Sequence, residues 1–402
     1  MPQPTIDAVD SVRVNPTAFP GIVSSRLGKN RKQVFGVSAE IAKRHYRAAK
    51  DKFTPDLSFW ACGGREKPNQ LKSPGDLLKS RLVLMPETPS SLLESAFSQP
   101  FTEMLKKAQG DIMIGCTMTD QGFERVLADF KLDEHVKAFD WSNFDAHVGE
   151  SLIVASFAIV RACFFGDDRW LDNLFLRFIS HFLVKQVVTP GGWLYTIACG
   201  VPSGSPFTSI IDSLANWLVL VDMEIAIGGP GSVKRNARRT YGDDFLQAIR
   251  DDPPTKDEYV ELALFRWGFV AKPSAAQEGP LSTTECRSSL PFLSYRFPCG
   301  LPARPIEDAI KLALLPKKAR FTYGQQWQRV MYLDHYAPFD PETIRFHTEY
   351  FSWIADKIPG LSFVGEGVRP ALVESYIFKA MANYMADGYA PGIVSLGDWF
   401  RQ

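Results

Sequence analysis

A charge imbalance is the first thing this sequence lacks. Its 402 residues carry 45 Lys and Arg against 45 Asp and Glu, so the net charge is zero. That excludes a uniformly basic nucleic-acid-binding surface, because phosphate contacts draw on positive charge. Cysteines are few and unpatterned: Cys62, Cys116, Cys163, Cys199, Cys286 and Cys299 form no Cys-x-x-Cys pair. Neither a disulfide framework nor a cysteine zinc site follows from such spacing, and the thiols are expected to be free and mostly buried, in a reducing compartment. The six histidines show no metal-ligand spacing, and His147 is expected to be structural. No apolar run approaches the roughly 20 residues that a membrane-spanning helix needs. Residues 151–165 are interrupted by Arg161, and the segment after Thr208 carries Asp212, Asn216, Asp222 and Glu224. The amino terminus shows no charged leader with an apolar core, so neither secretion nor membrane contact is expected.

What is present is an ordinary globular composition, rich in Phe, and long enough for two or three lobes around an ample core. Charge is uneven along the chain. Between Arg26 and Lys52 nine Lys or Arg face only Glu40 and Asp51, and Arg65, Lys67, Lys72, Lys79 and Arg81 form a second basic stretch. Periodicity predicts a loop over 61–70, a strand over 81–85 and helical spacing over 123–138. Helices are expected over 148–163, 170–188 and 208–227, the second stopped by Thr189-Pro190-Gly191-Gly192 and the third by Gly228-Gly229-Pro230-Gly231. Residues 292–297 read as a hairpin strand closing at Pro298-Cys299-Gly300, and the pattern from Arg304 onward is helical. The fold class expected is α+β.

Three short motifs stand out in order: Asp140-Trp141-Ser142-Asn143-Phe144-Asp145, then Ser203-Gly204 with Thr208, then Tyr241-Gly242-Asp243-Asp244. Aspartates this far apart in sequence, brought to one place, supply hard oxygen ligands for two divalent ions about 3.5–4 Å apart, which clamp the attacking and leaving oxygens of a phosphoryl transfer. Two other acidic pairs compete. Gly166-Asp167-Asp168 lies between two apolar-periodic stretches and reads as a helix–helix turn, and Asp251-Asp252 reads as a solvated turn. Tyr241-Gly242-Asp243-Asp244 runs into Phe245-Leu246 as a strand–turn–strand hairpin does, with Gly242 tolerating the turn. The basic run Lys234-Arg235-Asn236-Ala237-Arg238-Arg239 is an unusual lead-in for a central strand.

The ordered set resembles motifs A, B and C of the palm of viral RNA-dependent RNA polymerases, most of all those of the double-stranded-RNA partitiviruses and picobirnaviruses. The resemblance implies a right hand: fingers over residues 1–130, palm over 131–160, a fingers insertion over 161–195, palm again over 196–300, and a helical thumb over 301–402. It implies Asp140, Asp243 and Asp244 as ligands of Mg2+, or Mn2+ in its place, and Asp145 as the acceptor that recognises the ribose 2′ hydroxyl. Ser203, Gly204 and Thr208 then belong to a loop and helix that contact template and nucleotide. At the position four after Thr208 picornavirus-like enzymes carry asparagine, whereas this chain has Asp212. Asn216, one helical turn further on the same face, is assigned the ribose-sensing role jointly with Asp145. Arg81 and Lys79, with Arg65 upstream, resemble the basic motif that holds the triphosphate, and Lys272 is a candidate general acid for pyrophosphate.

The activity implied is template-directed RNA synthesis that replicates and transcribes a viral genome in the host cytoplasm or inside the virion. Its partners would be template and nascent RNA, ribonucleoside triphosphates and a capsid protein. Two alternatives stay open: a reverse transcriptase, disfavoured by Asp145 and Ser203-Gly204, and a non-catalytic RNA-binding or capsid-associated protein with a degenerate palm.

Overall fold

A computed structural model describes residues 1–66, 80–108, 110–116, 118, 122–131, 134–271, 277–285 and 288–314, with seven positions between 342 and 353. The chain divides into two compact units, one made of Met1–Cys116 and Asp129–Leu281, the other of Thr117–Ala128 and Ser282–Gln402. In chain order the helices are α1 (Ala8–Ser11), α2 (Arg31–Ala48), α3 (Thr88–Lys107), α4 (Phe123–Leu127), α5 (Phe144–His147), α6 (Glu150–Ala162), α7 (Asp168–Leu183), α8 (Thr208–Gly228), α9 (Lys256–Trp267) and α10 (Ile306–Leu314). The strands are β1 (Phe59–Glu66), β2 (Ser80–Pro86), β3 (His135–Ala138), β4 (Lys185–Val188), β5 (Leu194–Ile197), β6 (Ala237–Tyr241), β7 (Asp244–Ala248) and β8 (Gln277–Pro280).

The first unit holds two four-stranded sheets. One has the order β2-β1-β4-β5, with β1 and β4 parallel and the outer pairs antiparallel; the other is antiparallel throughout, in the order β6-β7-β3-β8. Its core is aromatic. Phe97 of α3 meets Phe164, Phe175 and Phe178 at ring separations of 5.4–5.8 Å in edge-on geometry. The spacing of Trp170, Leu171, Leu174, Phe175, Phe178 and Phe182 puts one stripe of α7 inside, as a 3.6-residue period demands. Each such side chain contributes about 1.5–3 kcal/mol when fully buried.

The basic lead-in to β6 has a structural answer. Arg238 and Thr240 face α8, where Arg238 pairs with Glu224 at 2.6 Å and Thr240 Oγ1 donates to the Ser213 carbonyl. Arg239 pairs with Asp129 at 2.8 Å and lies over the Phe130 ring. Asp111 joins both arginines. The charges are thus neutralised from three distant segments, which is what burial of an arginine requires.

Several expectations are corrected. Residues 61–66 form most of β1 rather than a loop, because Cys62, Gly63 and Gly64 pair in register with β2. Residues 123–138 are not one helix: α4 stops at Leu127 and β3 begins at His135. The helix expected over 170–188 ends at Leu183, and residues 185–188 become β4, held between β1 and β5. A short apolar run has no periodicity with which to choose between helix and strand. Residues 292–297 are not one strand; Phe292 and Tyr295 bridge across a turn formed by Leu293 and Ser294, both at positive φ. None of the five described cysteines is fully buried, and Cys199 and Cys299 are exposed, against the expectation of mostly buried thiols. Gly166-Asp167-Asp168 does join two helices: Asp167 caps α7 through the Trp170 amide, and Asp168 pairs with Arg161. Asp251 pairs with Arg235. Among the described residues no helix is long and apolar enough to cross a membrane.

Candidate active site

The antiparallel sheet sets the hairpin of the third motif beside the strand that leads into the first. Lys137 of β3 pairs with Gln247 of β7. The chain leaving β3 carries Asp140, and Trp141 beside it stacks on Phe245, which follows Asp244, with ring centroids 5.3 Å apart. Tyr241 pairs with Asp244, so Gly242 and Asp243 are the two-residue loop of the β6–β7 hairpin. Gly242 has φ +61° and Asp243 a negative φ, the pattern of a type II′ turn, which puts glycine first. Asp140, Asp243 and Asp244 are all partly exposed. Among the described residues no three Asp, Glu, His or Cys side chains converge closely enough to hold an ion unaided. A pair of carboxylates suits magnesium, which keeps waters and completes its shell with substrate phosphates.

The segment from Gly200 to α8 contacts both the Asp145 backbone and β2. Val201 N–H donates to the Asp145 carbonyl at 2.7 Å. Gly200, at φ +73°, approaches so closely that a Cβ would lie 2.6 Å from the same oxygen. Ser203 Oγ donates to the Leu82 carbonyl at 2.9 Å and accepts from the Leu84 amide at 3.3 Å, docking the loop on β2. Gly204 is required there, since a Cβ would sit 2.0 Å from the Leu84 carbonyl oxygen. Thr208 closes the loop by donating to Pro202 and Ser205 carbonyls. Behind it, Ser205 Oγ donates to buried Glu94 at 2.6 Å, and the other Glu94 oxygen meets His181 Nδ1 at 2.6 Å. Asp56, nearby in the same buried network, feels burial pushing its pKa up, but His181, Arg177 and Ser58 hold it well below the usual carboxylate range. Lys185 Nζ donates to the Phe182 and Gly200 carbonyls, and burial pushes its pKa down to about 8.

Asn216 is fully buried, with Oδ1 accepting from Trp141 Nε1 at 3.2 Å and Nδ2 donating to the Gly242 carbonyl at 3.0 Å. The side chain expected to read the ribose is therefore engaged inside the protein. Ser213 Oγ accepts from the Gly242 amide at 2.8 Å. Trp141, Ser213, Ser205 and Glu94 carry contacts that sequence reasoning did not assign to the site. Ser213 left a signal, as a polar residue three before Asn216 and so on the same face of the helix.

Arg65 and Arg81 are paired positions of β1 and β2. Lys79 and Lys272 lie outside the described residues, although Ala271, beside Lys272, bridges to Trp141. His147 bonds the Asn143 carbonyl, in keeping with a structural role.

This arrangement can be compared with known proteins. The model of the viral RNA-dependent RNA polymerase family matches residues 13–294, more than half of the chain. The RNA-directed RNA polymerase of Cryptosporidium parvum virus 1 is 31% identical over 85 residues, which is 21% of this chain and 16% of that protein. The genome polyprotein of Deformed wing virus is 22% identical over 148 residues, 34% of this chain and 5% of the polyprotein. The chain thus matches only a small part of the length of these relatives. Two solved structures share its fold at 13% identity. The RNA-dependent RNA polymerase of a human picobirnavirus has a TM-score of 0.65 over 94% of this chain and 71% of that one, and its insertion-loop deletion mutant 0.64 over 95% and 74%. The mixed α+β architecture is that of these polymerases, and the chain belongs to the viral RNA-dependent RNA polymerase family.

Proposed function

We propose that this chain carries out template-directed RNA synthesis, joining ribonucleotides on an RNA template by two-metal nucleotidyl transfer to replicate and transcribe a viral RNA genome. The observation that supports the reading is the central antiparallel sheet, in which β3 leads into Asp140 and the neighbouring β6–β7 hairpin carries Asp243 in its turn and Asp244 at its edge. Asp140 and Asp243, with Asp244 beside them, are the residues that would hold Mg2+ or Mn2+, which when bound activate the attacking 3′ hydroxyl and neutralise the leaving pyrophosphate.

The chain's own groups do the rest. Asp145, at the start of α5 and partly exposed, accepts from the ribose 2′ hydroxyl; a deoxynucleotide leaves that acceptor unmatched. Arg65 and Arg81, at paired positions of neighbouring strands, join Lys79 in holding the triphosphate. Lys272, next to the residue that bridges Trp141, donates the proton to pyrophosphate. Exposed Lys32, Arg44, Arg47, Lys50 and Lys52 offer a phosphate-binding surface for RNA despite the zero net charge. On this reading residues 1–130 and 161–195 are fingers, 131–160 and 196–300 palm, and 301–402 thumb.

The test is incorporation of labelled ribonucleotides on an RNA template with magnesium, comparing wild type with Asp243→Ala. The expected result is synthesis by the wild type and background by the variant, with deoxynucleotides poorly used unless Asp145 is replaced by alanine. Efficient use of deoxynucleotides by the wild type would favour a reverse transcriptase. A folded wild type without incorporation would favour an RNA-binding protein. Synthesis by the isolated chain would show that no capsid partner is required.

A further inference from the structure

Two backbone groups of one residue, Gly242, are held by two side chains of one helix. Ser213 Oγ accepts from the Gly242 N–H at 2.8 Å and donates to the Ser209 carbonyl at 2.7 Å. Asn216, one turn later on the same face of α8, donates to the Gly242 carbonyl at 3.0 Å. The other end of the same amide accepts from Trp141 Nε1 at 3.2 Å. Chemistry leaves no choice of amide orientation: an indole N–H only donates and a carbonyl only accepts, so Oδ1 must face Trp141 and Nδ2 must face Gly242. Both Trp141 and Asn216 are buried, and the Trp141 ring packs against Phe139, Phe245 and Phe269.

Trp141 follows Asp140 and Gly242 precedes Asp243. A single buried amide therefore ties together the two backbone segments that carry the acidic groups. The two ends of the tie differ. On one side it fixes a side chain, and through it the strand end after β3. On the other, with Ser213, it fixes the orientation of both peptide groups flanking Gly242, and so the direction in which Asp243 leaves the turn.

We propose that Asn216 is a positioning residue that sets the spacing and orientation of Asp140 and Asp243, and that it does not read the ribose. The proposal rests on the two-metal reading above and gives Asn216 a role within it. A ribose reader must present a polar atom to the nucleotide, whereas Asn216 is fully buried with both ends engaged.

The test uses the full chain and two readouts. Mn2+ binding without nucleotide is followed by electron paramagnetic resonance, with Asp243→Ala as the baseline for site-specific binding. The ratio of CTP to dCTP incorporation is measured separately. Asn216→Ala should weaken site-specific Mn2+ binding by roughly tenfold or more, the usual effect of removing a group that orients a metal ligand, and leave the ribose ratio unchanged. Trp141→Phe keeps an aromatic ring but loses the indole N–H that Asn216 accepts, so its loss should not add to that of Asn216→Ala. If Asn216→Ala does not fold, Trp141→Phe and the near-isosteric Asn216→Asp, which cannot donate to Gly242, decide the matter by the same readouts. Unchanged Mn2+ binding in the folded variants, a collapse of the ribose ratio, or no wild-type binding above the Asp243→Ala baseline would each overturn the proposal. Wild-type Mn2+ binding that is sensitive to Asn216, in a protein that makes no RNA, would leave positioning intact and remove the polymerase reading instead.

Discussion

Lys185 shows how one residue acquires properties that its own side chain does not have. It is almost wholly inaccessible, its ammonium faces the carbonyls of Phe182 and Gly200, and burial pushes its pKa from 10.5 down to about 8. The unfolded chain therefore binds more protons than the folded chain between about pH 8 and 10.5. Stability drawn from this group rises with pH across that window, and below pH 8 the full cost of burying the charge applies. In denaturant melts, the wild type should gain stability relative to Lys185→Met as pH is raised from about 7 to about 9.5, by roughly 2–3 kcal/mol at most. A pH-independent difference between the two would mean that the pKa is not lowered by folding and that the lysine stays charged inside across this range. The acidic residues of the site belong to the same scale, but their types and order were plain in the sequence. The role of Asn216 was not, because its partners Trp141 and Gly242 stand 75 and 26 residues away.

At the scale of elements, the approach of the Gly200–Thr208 loop to β2 is decided by a missing side chain. A Cβ on Gly204 would meet the Leu84 carbonyl oxygen at 2.0 Å, and backbone cannot yield as a flexible side chain does. Gly204→Ala should cost about 1–3 kcal/mol, as overpacking does, and should lower any RNA synthesis because the loop loses its seat on β2. Gly36, inside α2, is the control: nothing lies within 4 Å of the place a Cβ would take, so Gly36→Ala should raise stability by about 0.5–1 kcal/mol. Thermal melts of the two variants, shifted in opposite directions, check both statements. The elements themselves were legible where their pattern was strong. Helix α8 and the β6–β7 hairpin follow from long apolar periodicity and a turn glycine. Strand β4 was absorbed into the preceding helix, since Val187 and Val188 suit either state and only the neighbours β1 and β5 select one.

Over the whole molecule a net charge of zero conceals a division of labour. Arg238 and Arg239 are buried against Glu224, Asp111 and Asp129, whereas Arg44, Arg47, Lys50 and Lys52 remain exposed. Only the second group can displace counterions from RNA. Replacing Arg44, Arg47, Lys50 and Lys52 together with alanine should weaken RNA binding and lower the slope of log affinity against log salt by about 0.7 for each phosphate no longer neutralised. Fluorescence anisotropy with a single-stranded RNA across a salt series measures both. An unchanged slope would place the RNA on another surface.

The sequence alone determined the kinds of chemistry present and their order: aspartates in two separated motifs, a serine–glycine loop between them, and the resemblance to a viral polymerase palm. These are local properties, set by residue type and spacing within a few positions. Tertiary structure alone decided which acidic pair sits in the hairpin beside β3, which arginines are neutralised and which stay exposed, and what Asn216 holds. Those outcomes depend on partners that are distant in the chain. Arg239 and Asp129 are 110 residues apart, and Ser205 and Glu94 are 111. A side chain's charge, burial and role follow from such neighbours, and no short stretch of sequence contains them.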